Sequence, residues 1–128
     1  MRRFRFVVTL FLLALFMGCA GTRKPDPEMQ RRVEYVKGAM TAVANALQFY
    51  YNDHGFFPKG MATLRDADYL ALAPDVEREW ELKYYTGGGQ VMMVEAISRS
   101  TMPDGEGHKI IYRLPDESWE GYGITEFP

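Results

Sequence analysis

Between Met29 and Tyr50 apolar residues recur at alternating spacings of four and three: Met29, Val33, Val36, Met40, Val43, Leu47 and Tyr50. Residues three and four apart share one face of an α-helix, so this spacing predicts a long amphipathic helix. Burying seven such side chains contributes on the order of 10–20 kcal/mol before chain entropy is charged against it. No other segment offers as much, and the rest of the chain must be arranged to cover this one. Ala39, Ala42, Ala46 and Phe49 form a second ridge, which widens the expected apolar face towards the helix end. Before Gly38 the opposite face carries Arg31, Arg32, Glu34 and Lys37, so the helix is expected to stand in solvent at its start and lie on a sheet at its end. Asp26 and Pro27 mark its beginning, while Gly55 and Pro58 stop it.

The chain has 128 residues, enough for one domain. Residues 1–18 contain three arginines and no acid, so the remainder holds 12 basic and 17 acidic residues, a net charge of −5. That sign leaves no electrostatic footprint for nucleic acid. The single cysteine, Cys19, permits no internal disulfide. It follows a basic start, Met-Arg-Arg-Phe-Arg, then an apolar run from Phe6 to Met17, then Gly18. As a helix that run is about 18 Å long, short of the hydrocarbon thickness of about 30 Å, and it reads as the core of a signal peptide.

Gly18-Cys19 at that boundary resembles the lipobox of bacterial lipoproteins, with Phe16 where the family usually carries leucine. The resemblance implies a signal peptide over 1–18 and lipidation of Cys19 by acyl chains such as palmitate. It also implies a mature chain that starts at this cysteine. Two or more acyl chains hold a protein firmly on a membrane. Ala20 in the following position implies the periplasmic face of the outer membrane in enterobacterial lipoproteins. Residues 19–27 then form the lipidated end and a tether, and 28–128 a folded domain.

After the helix, Phe56 to Pro74 is expected to be a docked connection, with one or two helical turns within Thr63–Tyr69. From Trp80 the period becomes two. Leu82 and Tyr84 face one way and Glu81 and Lys83 the other, the pattern of a half-buried strand. Gly87-Gly88-Gly89 predicts a hairpin turn rather than a phosphate cradle, because Gln90 stands where a Lys-Ser/Thr pair would be needed. Val91 to Ile97, apolar on both faces except at Glu95, reads as a central strand. Lys109–Leu114 reads as another, and Trp119–Phe127 as a weaker last strand. One helix followed by three or four antiparallel strands is an α+β fold by segregation.

At Leu47–Pro58 the chain resembles the type IV pilin family, above all the pseudopilins of type II secretion systems. Leu47, Tyr50, Tyr51, Asp53, Gly55 and Pro58 match the family's leucine, tyrosines and Asp-x-Gly-x-Tyr-Pro turn, with Phe57 in place of the last tyrosine. The resemblance implies a long N-terminal helix packed on a small antiparallel sheet, and a structural role for the turn. It departs from a prepilin before the helix, where Gly18, Gly21, Pro25 and Pro27 interrupt any continuous apolar stalk. The expectation is a pilin-like head on a lipid, a non-enzymatic protein acting by contact in the cell envelope. A type II secretion or type IV pilus apparatus is its candidate partner. A ligand- or peptide-binding envelope lipoprotein that uses a sheet edge or the Tyr50, Tyr51, Phe56, Phe57 patch is the alternative.

Catalytic and cofactor signals are weak. His54 and His108 lack a second histidine or cysteine at metal-ligand spacing, and Ser98 or Ser100 with His108 has no nucleophile elbow. Asp104, Glu106, Asp116 and Glu117 do not match a calcium loop. No catalytic residue, metal or cofactor is expected.

Overall fold

The structure, a computed structural model, describes residues 26–124. Cys19, the segment expected to be a signal peptide and most of the expected tether lie outside the described residues. The first helix, α1, spans Pro27–His54. Asp26 caps it by accepting a hydrogen bond from the Glu28 amide, and Pro27 occupies the first turn. Gly55 ends it in the left-handed region at φ 79°, donating its N–H to the Tyr51 carbonyl at 2.7 Å.

Two short helices follow, α2 (Met61–Asp66) and α3 (Pro74–Glu79), and then strands β1 (Trp80–Gly87), β2 (Gln90–Ser98), β3 (Lys109–Arg113) and β4 (Ser118–Gly121). The strands form one antiparallel sheet in sequence order. The architecture is therefore α+β, with α1 laid on a four-stranded antiparallel sheet. The expected connection ends where α3 begins, with proline again in the first turn. The last strand ends at Gly121, short of the expected span. Gly121 has φ 112°, and a Cβ there would overlap the Lys109 carbonyl, so the chain leaves the ladder by a route only glycine tolerates.

Val33, Val36, Met40, Val43, Leu47 and Tyr50 are all buried, and Met29 packs against them from the edge. Two expectations about the helix are corrected. Its first half does not stand free, because Tyr122 and Ile124 near the C-terminal end of the fold and Met102 from the β2–β3 loop join the same cluster. The second ridge holds at Ala46 and fails at Ala42 and Phe49, with Ala44 taking their place. Ala42 is exposed and Phe49 is 64% exposed, while Ala44 and Ala46 are buried beside the main stripe.

On β2, Val94 and Ala96 share the helix-facing side by alternation. Val91, three residues before Val94, should face away, yet it is buried in the same cluster. A bulge resolves this. Tyr85 pairs with Met93 and Thr86 with Val91, which leaves Met92 unmatched and exposed. The extra residue turns Val91 back towards α1. Gly88 and Gly89, with φ 60° and 74°, form the two-residue turn between β1 and β2.

Candidate functional site

The turn that carries the resemblance is tied to the rest of the fold through Tyr50, Tyr51, Asp53 and Pro58. Tyr50 ends the buried stripe. His54 stacks on its ring at 4.0 Å between centroids, while Tyr69 and Phe56 meet it edge-on at 5.3 and 6.0 Å. Tyr51 points the other way and lies against Phe57 at 4.6 Å. Its hydroxyl sits so close to the hairpin that a Cβ at Gly89 would be 2.9 Å away. Asp53 accepts a hydrogen bond from the Tyr69 hydroxyl at 2.6 Å, and that bond raises the phenol's pKa above its ordinary value. Pro58 is buried, and its carbonyl accepts from Tyr84 Oη at 2.7 Å. Burial raises the Tyr84 pKa too.

The helix end is thus clamped against the α2 connection by Tyr69, against the sheet by Tyr84, and against the hairpin by Gly89. None of these three partners was assigned to the turn from sequence. Tyr69 lies in the connection after α2, Tyr84 on β1 and Gly89 in the hairpin turn, and the inward phase of Tyr84 was the one available signal. The aromatic group only partly seals the helix end. Tyr50 is buried and Phe57 packs on the core, whereas Phe56 remains 57% exposed.

His54 is the last helical residue rather than a loop residue, and its Nδ1 donates to the Tyr50 carbonyl at 3.0 Å. The Ser98 hydroxyl donates to the Gly105 carbonyl and accepts from the His108 amide, both at 2.8 Å. The His108 ring instead uses Nε2 to donate to the Asp104 carbonyl at 3.0 Å and lies on Tyr122 at 4.5 Å. Ser98 and the imidazole are therefore committed to separate backbone partners that staple the β2–β3 loop. Among the described residues no three His, Cys, Asp or Glu side chains converge as a metal site.

Two polar clusters were not foreseen. Asp104 accepts from Arg32 at 3.2 Å and from the Tyr122 hydroxyl, which joins the β2–β3 loop and the residues after β4 to the start of α1. Burial first, and the bond to Asp104 second, push the Tyr122 pKa up to about 12. On the sheet face away from α1, Glu95 is only 6% exposed. It meets Lys109 Nζ at 3.1 Å and accepts from Tyr85 Oη at 3.3 Å.

A cavity of about 270 Å³ opens beside the first residues of β1, with Met61, Leu72 and Leu82 among its apolar walls and Arg65 and Arg99 on its rim. No described helix is long and apolar enough to cross a membrane. Comparison with protein-family models, curated proteins and solved structures finds no match.

Proposed function

We propose that this chain is a lipid-anchored, pilin-like envelope protein that acts by protein–protein contact and not by catalysis, with a type II secretion or type IV pilus apparatus as its candidate partner. The observation that carries the reading is the Tyr50–Pro58 turn. Tyr51 and Pro58 meet the sheet and its hairpin, Tyr50 and Asp53 meet Tyr69 in the connection, and Gly55 ends the helix, an arrangement in keeping with the one the resemblance implies. The lipobox-like Gly18-Cys19 supplies the anchor, and the interruption before Asp26 replaces the apolar stalk that would pack a filament core. The protein then works as a tethered head on the periplasmic face of the outer membrane.

The test is Cys19→Ser with membrane fractionation and acyl-chain labelling. The wild-type chain is expected in the membrane fraction with label, and the variant in neither. Membrane retention of an unlabelled variant would remove the lipid anchor from the account. A second reading, a peptide-binding envelope lipoprotein, draws on the terminal position of β1 in the sheet.

A further inference from the structure

The sheet has two edges of unequal length: β1 has eight residues and β4 four. Proteins protect such edges with short strands, prolines, charges or a covering loop. Shortness protects β4. On β1 the core-facing Trp80, Leu82 and Tyr84 are all apolar or aromatic, the strand has no proline, and its protection is limited to Glu81 and Lys83 on the other face. Among the described residues no loop adds a backbone hydrogen bond along residues 81–86.

The cavity lies at the start of this same edge. Its volume of about 270 Å³ falls below the roughly 300–1,000 Å³ of sites that enclose a whole small-molecule ligand. It has room for a side chain or two of something larger. Met61, Leu72, Trp80 and Leu82 give it apolar walls, Arg65, Glu77, Glu81 and Arg99 are its charged lining, and these charges are unequally satisfied. Arg65 is already paired with Glu77 at 2.6 Å. Arg99 has no carboxylate within salt-bridge distance among the described residues, whereas Arg31, Arg32, Arg65, Arg78 and Arg113 each have one. Arg99 follows Ser98, which pairs with Trp80, so its guanidinium is delivered to the beginning of β1.

We infer that this edge and cavity together bind an extended, carboxylate-bearing peptide segment of a partner protein. The segment adds a strand to β1, seats an apolar side chain among Met61, Leu72 and Leu82, and pairs its carboxylate with Arg99. Main-chain hydrogen bonds supply affinity that depends little on sequence, while the cavity and the guanidinium select the side chains. The inference rests on the contact reading above and names the surface and the chemistry that would make the contact.

Random heptapeptides displayed once with a free C-terminus and once inside a carrier loop, selected on the full chain in detergent micelles, test it. Enriched peptides should alternate β-forming residues and carry an apolar side chain near a carboxylate. Comparing the two displays tells a chain terminus from an aspartate or glutamate side chain. Arg99→Glu should weaken the enriched peptides about tenfold or more, and Arg99→Lys less. N-methylation of alternate peptide amides should abolish binding, and amides along residues 81–86 should exchange more slowly in the complex. Absence of enrichment, enrichment of peptides without an acid, or equal binding to Arg99→Glu would overturn the groove. Each would leave the envelope reading standing, since that is judged by acylation and by partners recovered from the cell. Loss of acylation with peptide binding intact would do the reverse.

Discussion

At its beginning α1 adds a charged and hydrogen-bonded attachment, through Arg32, Asp104 and the Tyr122 hydroxyl, to the apolar cover over Val33 and Val36; at its end it is held by rings, through Tyr50, His54, Tyr69 and Phe56. The polar attachment is partly open to water, with Arg32 and Asp104 side chains 26% and 35% exposed. An ion pair of that kind is weakened by solvent and salt. The aromatic attachment is centred on a buried ring, where area removed from water and edge-on ring contacts act together. The two ends therefore differ in how firmly they are held. The Tyr50 end is expected to be the firmer, and the polar contact of Asp104 with the residues after β4 to yield first.

Truncation at the firm end should cost most. Tyr50→Ala removes the ring that three others touch and is expected to lower unfolding free energy by about 3–5 kcal/mol, measured by urea denaturation. Gly89→Ala attacks the same end from the hairpin, where a Cβ meets the Tyr51 hydroxyl and φ is 74°. A loss of about 1–3 kcal/mol is expected, with the indole and phenol fluorescence of the folded state little changed. At the other end, Tyr122→Phe keeps the ring and deletes only the hydrogen bond to Asp104, for about 1 kcal/mol.

The same phenol gives a pH signature. Its folded pKa of about 12 lies above the ordinary 10. Its contribution is therefore complete below pH about 10 and is lost as pH rises towards 12. Over that window the wild-type chain should lose more stability than Tyr122→Phe, and ultraviolet titration should show a late-ionising phenol that the variant lacks. Equal alkaline losses in the two proteins would remove the polar attachment. The smallest effect is that of salt. At 1 M salt the Debye length is about 3 Å, so amide exchange should speed up around Val33–Lys37 and stay unchanged around Leu47–Tyr51.

Much of this contrast was legible in the sequence at one end only. The helix, its caps and the buried stripe follow from local spacing, and Asp26, Pro27 and Gly55 act as their residue types imply. The turn motif was located, but its clamps were not, because Tyr69, Tyr84 and Gly89 reach it from other elements. Val33 and Val36 are buried as their place in the stripe implies, but their cover was not legible, because part of it comes from residues such as Met102 and Tyr122, far along the chain. Periodicity identifies the stripe but not the flank that meets the sheet, which is why Ala44 is buried and Phe49 is not. The bulge at Met92 left no mark either, since Val91 to Val94 are apolar throughout and accept either phase. Arg99 and its cavity depend on where three separate segments meet, and no spacing in the chain encodes that.

The most direct test of a tethered head that works by contact is crosslinking in intact cells, followed by mass spectrometry of what is attached to the full chain, with wild type and Cys19→Ser side by side. The account predicts components of a secretion or pilus apparatus on the wild-type chain and their loss from the variant. The same partners on both chains, or none of those components on either, would contradict it.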